Sequence, residues 1–281
     1  MPKVAIVTDS TGCIPDALIE PYQVSVAPQI LIWGDEVFED GVDIQPTEFY
    51  QRLAKADVMP SSSQATPVKF EEIFRDLLAQ EYEILAVLIS EKLSGTISSA
   101  NQAKQSIGDD APIEIMDSYT TAMAMGFQVL EAAKAADKGA DLAECRAIVE
   151  DARTRCGVYL TVETLEFLHR GGRIGGASRF LGTALNIKPI MKVEDGKIAA
   201  VERVRTRRKA LARLLDLVAE DVGDAPVSLS SLNANAIEDA ENLLNEAKDR
   251  FKVVQTNISN VSPVIGTHVG PGTVGIVYMK E

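Results

Sequence analysis

Small polar residues and glycines gather in four segments of this chain, at residues 60–67, 92–100, 168–176 and 266–273. The first two segments supply hydroxyl groups, the third holds two arginines and four glycines, and each of the last two contains one of the two histidines. Hydroxyl and imidazole groups can hydrogen-bond to carboxylate or phosphate oxygens. Motifs such as GxSxG, the P-loop, HExxH and a GxGxxG after a strand are absent from the sequence. The pattern therefore favours binding of an anion over its chemical conversion.

The segment from Lys92 to Ala100 follows a strand-like run and opens a predicted helix. In an open α/β sheet, ligands bind at the carboxyl ends of strands. A helix N-terminus there offers unpaired N–H groups to an anion, and a glycine allows close approach of the backbone. We therefore expect Ser94, Gly95 and Thr96 to contact an anionic ligand, with plain helix capping by Ser94 or Thr96 as the alternative.

The other hydroxyl-rich segment, Pro60 to Pro67, lies between two helical stretches. Thr66 followed by Pro67 is typical of a helix start, so a simple capped loop is one interpretation. His268 lies between glycines and leads into a strand-like run. A lone histidine is more often structural than functional, and we find no Asp or Glu that is clearly paired with it in the sequence.

The elements that would position these segments alternate between strand and helix. Because repeated strand-helix-strand units of this length form parallel sheets, we expect a parallel sheet with helices on both faces. The predicted strands are 3–8, 24–33, 84–90 and 113–118, and the predicted helices are 66–80, 96–107, 121–138 and 141–155, with a short helix from Pro15.

The pattern changes after residue 157, where strand-like runs dominate. Asp195-Gly196 predicts a two-residue hairpin turn between alternating segments. We expect an α/β protein of two domains, with residues 1–156 forming a parallel three-layer α/β/α sheet domain and 157–281 a smaller mixed-sheet domain. In the second domain the predicted strands are 157–164, 188–204, 226–232, 253–258 and 273–279, and the predicted helices are 206–221 and 236–250.

The composition narrows the possible functions further. The chain of 281 residues carries 28 basic and 41 acidic side chains, a net charge of −13. An acidic chain argues against nucleic-acid binding, which depends on neutralising phosphates. Three cysteines with no zinc-site or disulfide spacing favour a reducing cytoplasm, and neither a signal peptide nor a membrane span is expected. No metal site is expected either.

Five motifs in this order resemble the DegV family, and the resemblance runs from residue 4 to residue 279. Two positions differ from the family pattern. Ser62 stands where Thr is frequent and keeps the hydroxyl, and Ala65 stands where Pro is frequent and would loosen the loop. The motifs are VTDSTG ending at Gly12, SSQATP at 62–67, LSGTISSA at 93–100, LHRGGRI at 168–174 and IGTHVGPGTVG at 265–275.

The resemblance implies two α/β domains with a lipid tunnel, and a binding protein that is not itself an enzyme. It implies binding of one long-chain fatty acid, such as palmitate, stearate or oleate, and no cofactor. The partner implied is the ATP-binding subunit of a fatty acid kinase, which would phosphorylate the presented acid to acyl phosphate. Ser62, Ser94 and His268 would hold the carboxylate, with Ser63, Gly95 and Thr96 nearby. A protonated His268 would pair with the anion.

Basic residues gather between 168 and 213, where twelve Lys and Arg stand against three acids. Such segregation suits docking to the kinase subunit, approach to ATP phosphates or transient contact with an anionic membrane, unless the charges disperse in three dimensions. Arg170 and Arg173 lie in a glycine-rich loop, and Arg203 and Arg205 share one face of a strand. We expect these four arginines to serve the partner more than the lipid.

Three other functions stay open from the sequence alone. A hydrolase could use Ser94 with His268, and turnover of a chromogenic ester would reveal it. A nucleotide-binding domain would bind ATP as the isolated protein, although the glycine fingerprint is missing. A plain interaction protein would bind no small ligand, which native mass spectrometry would show.

Overall fold

The computed structural model describes residues 3–182 and 187–281. Within these ranges the chain forms three β-sheets with helices packed around them. The strands are β1 (Lys3–Asp9), β2 (Val24–Ala27), β3 (Ile30–Trp33), β4 (Glu36–Glu39), β5 (Ser61–Ser63), β6 (Tyr82–Leu88), β7 (Ile113–Asp117), β8 (Cys156–Thr161), β9 (Lys188–Glu194), β10 (Lys197–Val204), β11 (Val227–Asn233), β12 (Val253–Asn260) and β13 (Val274–Lys280). The helices are α1 (Asp16–Ile19), α2 (Pro46–Leu53), α3 (Pro67–Ala79), α4 (Thr96–Ile107), α5 (Ala122–Asp137), α6 (Leu142–Arg155), α7 (Glu166–Arg170), α8 (Arg207–Val222), α9 (Ile237–Arg250) and α10 (Pro263–Val269).

Four parallel strands form the first sheet, in the order β2-β1-β6-β7. Helices α3 and α4 cover one face, where Phe70, Phe74 and Ala100 are buried, and α5 and α6 cover the other with Val129 and Val149. Since both faces are covered, β1 and β6 are almost continuously apolar and buried. The predicted three-layer arrangement is confirmed.

The second sheet is mixed, with six strands in the order β10-β9-β8-β13-β11-β12. Its pairs are antiparallel except for β11 and β12, and α8 and α9 pack on one face. The predicted hairpin joins β9 and β10, and its turn residues Asp195 and Gly196 have φ of 48° and 75°, as a two-residue turn requires. The mixed sheet is thus confirmed. It starts at Cys156, and the division into domains near that residue stays a prediction.

Helix α5 lies between the two large sheets. It contacts β1 and β6 on one side and β8 and β13 on the other. Every residue from Ala122 to Leu130 is buried, as expected for a helix that is enclosed on all sides. The helix thereby holds the carboxyl ends of β1 and β6 close to the second sheet.

A third, three-stranded sheet in the order β4-β3-β5 was not expected from the sequence. The run 24–33, read as one strand, is two strands in two different sheets. The chain turns at Pro28 and Gln29, after which β3 pairs with β5 and places Leu31 opposite Ser62. The hydroxyl-rich segment is therefore an edge strand before it becomes a loop.

The sequence does not predict helix α10 either, because residues 266–273 indicate only a glycine-rich segment. Ser262 caps its N-terminus by accepting a hydrogen bond from the backbone of Ile265, and Pro263 occupies the first turn. Gly266 faces Phe49 and Tyr50 of α2, and a β-carbon there would overlap both rings. This close contact lets α10 pack tightly enough to carry His268 into the interior.

Candidate functional site

A cavity opens at the carboxyl ends of β1 and β6, where the strand order of the parallel sheet reverses. Such switch points are the usual ligand sites of open α/β sheets. The cavity encloses about 90 Å³, which is below the usual volume of small-molecule pockets. Its polar lining is Thr11, Gln29, Ser62, Ser63, Gln64, Ser94, Thr121, Arg173 and His268, and its apolar lining is Ile89, Leu93, Leu168, Ile198, Val264, Ile265 and Val269.

The polar groups come from several elements. Ser62 and Ser63 lie on β5, Ser94 lies in the loop between β6 and α4, and His268 lies on α10. Arg173 follows α7 in the glycine-rich loop. The fold thus brings four of the predicted site residues, Ser62, Ser63, Ser94 and His268, to the wall of one cavity.

Ser62 and His268 are in direct contact, with 2.7 Å between Ser62 Oγ and His268 Nε2. Burial, followed by the nearby charge of Arg173, lowers the pKa of His268 to about 4. Without a ligand the imidazole is therefore neutral at neutral pH, and the ion pair between a protonated His268 and a bound carboxylate, which would raise this pKa, stays a prediction. The other ring nitrogen, Nδ1, is buried against Gly171 and has no hydrogen-bond partner among the described residues.

Ser94 belongs to a second group of hydrogen bonds. Its Oγ lies 2.8 Å from Thr96 Oγ1, and Thr96 Oγ1 in turn lies 2.9 Å from Gln29 Nε2. Thr96 is buried behind Ser94 and is not part of the cavity lining, in contrast to its predicted role. Gly95 occupies the N-cap position of α4 and faces the side chain of Gln64. Both residues therefore support the wall.

The four arginines predicted to dock a partner occupy different places. Arg173 lines the cavity, donates from Nε to Leu93 O at 3.0 Å, and has no carboxylate within ion-pair distance among the described residues. Arg170 pairs with Glu166 at 2.5 Å. Arg203 is exposed and its guanidinium lies 5.5 Å from the ring centroid of Phe180, and Arg205 is exposed just beyond β10.

The basic segment 168–213 is partly neutralised by acids from elsewhere in the chain. Lys188 and Arg207 both pair with Glu163, Arg207 also pairs with Asp239, and Arg213 pairs with Glu220. Clustering in sequence therefore overstates clustering in space.

A depression beside the cavity shares some of its walls. It is lined by Met59, Pro60, Ser61, Ser62, Phe167, Arg170, Gly171, Arg173, Thr267 and His268. Ser62 and His268 therefore stand between the apolar cavity and a surface that carries two arginines.

Gln29, Thr11 and Thr121 line the cavity although the sequence does not predict them as site residues. Arg173 also lines it, whereas its predicted role is to dock a partner. Gln29 had one signal, since it is a polar side chain that follows a proline inside an apolar run. Thr11 and Thr121 follow or precede predicted elements and resemble ordinary turn and capping residues.

The residues that the structure describes contain neither a metal-binding cluster nor a membrane-spanning helix. Residues 3–182 and 187–281 contain no group of three or more His, Cys, Asp and Glu side chains able to hold a metal ion. Cys13, Cys145 and Cys156 are free thiols, and burial raises the pKa of each. Among the same residues, none of the helices has the length and apolar character needed to cross a bilayer.

Comparison with known proteins places the chain in a family. The profile of the DegV family, described as a family of uncharacterised proteins, matches residues 3–281. A DegV domain-containing protein of Clostridium perfringens is 36% identical over 99% of this chain and 99% of its own length.

Solved structures agree with this match. A DegV family protein from Thermus thermophilus, described by its fatty acid binding, has a TM-score of 0.92 at 32% identity and covers 99% of this chain and 100% of its own. DegV of Bacillus subtilis, described as a fatty acid binding protein, has a TM-score of 0.90 at 29% identity over 100% of both chains. The chain belongs to the DegV family.

Proposed function

We propose that this protein binds one long-chain fatty acid, holds its carboxylate between Ser62 and Ser94, and presents it to a separate kinase subunit. The observation that carries the proposal is the 2.7 Å contact between Ser62 and His268 on the wall of a cavity that Ser94 also lines. The remaining lining is largely apolar, and two solved relatives are described as fatty-acid binders. The protein itself would carry out no reaction.

The neutral state of His268 defines its part in the site. A buried N–H without an acceptor is rarer than an unpaired lone pair, so the ring proton belongs on Nε2, where Ser62 Oγ accepts it. Ser62 then has its own hydroxyl proton left to donate to a carboxylate. His268 would thus stay uncharged and donate its proton to Ser62, and Ser62 would donate to the carboxylate.

The positive charge of the site would come from Arg173. A carboxylate is costly to bury unless it is hydrogen-bonded and its charge is offset. Arg173 lines the cavity and is fixed by carbonyl groups of Leu93 and Gly171. We therefore assign Arg173 to the lipid as well as to the partner.

Burial of the fatty-acid tail would offset the cost of burying its carboxylate. A tail of about 15 methylenes supplies a gross gain of roughly 12 kcal/mol.

Presentation to a kinase is supported by the depression next to Ser62 and His268. Arg170 and Arg173 line it, and arginine binds phosphate and carboxylate oxygens in pairs. Arg203 and Arg205 are exposed on or just after β10. We propose that Arg170, Arg203 and Arg205 contact the ATP-binding subunit, while transient contact with an anionic membrane would serve lipid exchange.

A serine hydrolase is the second candidate, because a serine and a histidine are in contact. The pair is Ser62 with His268, whereas the sequence suggested Ser94. A general base works best with a pKa near the working pH, and the pKa of His268 is about 4. Its Nδ1 also lacks the carboxylate that orients the histidine of a catalytic triad. These features favour binding over hydrolysis.

Native mass spectrometry of the purified protein tests the binding proposal directly. We expect a co-purifying adduct with the mass of a fatty acid, which organic extraction removes and added palmitate restores. Reconstitution with an ATP-binding fatty acid kinase subunit, magnesium and ATP should then give acyl phosphate. A protein that takes up no fatty acid, or that hydrolyses a chromogenic ester in a Ser62-dependent way, would overturn the proposal.

A further inference from the structure

Gln29 is a buried amide at the cavity wall that none of the predicted sites includes. It follows Pro28 in the short link between β2 and β3, and its side chain is 1% exposed. The residue also lines the cavity. Because a buried amide has to satisfy its donors and acceptor within the protein, its partners show what the residue does.

The orientation of the amide is fixed by a backbone group. Ala65 N–H donates to Gln29 Oε1 at 3.0 Å, and a backbone N–H can only donate. The amide oxygen must therefore face Ala65. The opposite end of the amide, Nε2, then donates to Thr96 Oγ1 at 2.9 Å.

The fixed orientation of the Gln29 amide also determines the direction of the hydrogen bond between Thr96 and Ser94. A hydroxyl has a single proton to donate, and Thr96 Oγ1 has two oxygens within reach, Ser94 Oγ at 2.8 Å and Gln29 Oε1 at 3.2 Å. The shorter contact leads to Ser94, whereas Oε1 already accepts from Ala65. Thr96 thus donates to Ser94, and the hydroxyl proton of Ser94 is left for the cavity.

The backbone of Gln29 reaches the opposite side of the same site. Its N–H donates to Ser10 Oγ at 3.1 Å, and Ser10 Oγ donates to Asp40 Oδ2 at 2.6 Å. Asp40 Oδ1 accepts from Val264 N at 3.1 Å in the first turn of α10, the helix that carries His268. Gln29 therefore connects the loop after β5, the first turn of α4 and, through Ser10 and Asp40, the first turn of α10.

We propose that Gln29 is a positioning residue that makes Ser94 a hydrogen-bond donor toward the ligand, and that the site thereby selects a carboxylate over an alcohol of the same chain length. The inference rests on the proposed function and deepens it. A carboxylate only accepts hydrogen bonds, so it suits two hydroxyls that both donate. A fatty alcohol offers a single uncharged oxygen to the two donated protons, so it gains less from this arrangement than a carboxylate, whose charge strengthens each hydrogen bond.

Competition between palmitate and hexadecan-1-ol for the site of a bound fluorescent fatty acid tests the proposal. The ratio of their inhibition constants is compared in wild type and Gln29→Met, which keeps the side-chain length and removes both hydrogen-bonding ends. Loss of one enforced hydrogen bond to a charged group should lower the preference for palmitate by about tenfold or more. Thr96→Val, which breaks the same relay with Gln29 intact, should change the ratio in the same direction and replaces Gln29→Met if that variant does not fold.

Gln128→Met is the matched control, because Gln128 is also 1% exposed, its amide nitrogen donates to the carbonyls of Ser118 and Ala124, and it is not part of the cavity lining. It should leave the ratio unchanged. If palmitate and hexadecan-1-ol weaken in proportion in Gln29→Met or Thr96→Val, Gln29 has a merely structural role and the inference is wrong. A wild-type protein that binds no palmitate would instead overturn the proposed function, and the inference with it.

Discussion

The backbone of Gly171 lies against the imidazole of His268 so closely that a β-carbon at position 171 would overlap Nδ1. Gly171→Ala should therefore push the ring away from Ser62 and weaken fatty-acid binding by about tenfold, since Ser62 loses the partner that directs its proton. Gly176→Ala in the same loop is the control, because the nearest atom to its β-carbon would be 3.6 Å away. Titration with a fluorescent fatty acid compares them, and equal affinities would show that Gly171 does not fix His268.

The carboxylate network should behave as a unit when its members are removed. We expect Ser62→Ala, Ser94→Ala and His268→Ala each to weaken palmitate binding by roughly 1–3 kcal/mol, because each leaves part of a buried anion unpaired. Ser62 and His268 are in contact, so the double variant should lose less than the sum of the two single losses. Isothermal titration calorimetry measures the cycle. Additive losses would mean that His268 does not act through Ser62.

The free energy of unfolding should fall as the pH is lowered between the pKa of His268 in the unfolded chain and its lower pKa in the folded protein. Burial, with help from Arg173, lowers the pKa of His268 from an ordinary value of 6.5 to about 4. The unfolded chain then takes up a proton that the folded protein does not, so the contribution of His268 is complete above about pH 6.5 and declines toward pH 4. The full loss would be about 3 kcal/mol.

Urea unfolding of the ligand-free protein at several pH values measures this effect. His268→Gln removes the titrating group. The difference in unfolding free energy between wild type and this variant should therefore shrink or reverse as the pH falls. Asp9 and Asp40 act in the opposite direction, because burial raises the pKa of both carboxyls, and they are common to the two proteins. A difference that stays constant between pH 7 and pH 4 would contradict the neutral, buried state of His268.

Arg173 should contribute to lipid affinity. Arg173→Gln removes the only charge that we assign to the head group, and we expect palmitate to bind about tenfold more weakly. Arg170→Gln is a suitable control, since Arg170 pairs with Glu166 and is not part of the cavity lining. Displacement of a fluorescent fatty acid distinguishes the two. If Arg173→Gln binds palmitate as tightly as wild type, Arg173 has no role in lipid binding and only the docking role remains.

Arg203 and Arg205 should affect the partner and leave the lipid untouched. Arg205→Glu is expected to reduce acyl phosphate formation with the kinase subunit at low enzyme concentration, because reversing a rim charge slows association. The loss should grow less severe at high salt, where surface charges are screened. Lys138→Glu, an exposed change at the far end of α5, provides the control. Reduced palmitate affinity in Arg205→Glu would refute the assignment.

Local signals in the sequence predict many of the elements. Thr66 and Pro67 mark the start of α3, and Thr66 does accept a hydrogen bond from Lys69 N. Asp195-Gly196 marks the hairpin, since both positions require positive φ. These features depend on residues that are neighbours in the chain, so a sequence reading can find them.

Features that depend on distant residues could not be found in this way. Strand β5 exists because Ser62 pairs with Leu31 of β3, and α10 fits because Gly266 meets Phe49 and Tyr50. Gln29 interacts with Ala65 and Thr96, and neither is near it in sequence. The hydroxyl and imidazole groups were predictable from their motifs, whereas the buried amide that orients one of them follows only from the packed structure.

Strand β13 pairs with β8 on one side and with β11 on the other, and it is synthesised after both. While the chain grows on the ribosome, β8 and β11 therefore present open edges to each other across a gap, and open edges invite pairing with other chains. Helix α10, with His268, emerges just before β13. The nascent protein can thus neither complete its sheet nor form the cavity wall that His268 provides until this stretch is free. In that interval the open edges of β8 and β11 should make the nascent protein most prone to aggregation and most accessible to chaperones.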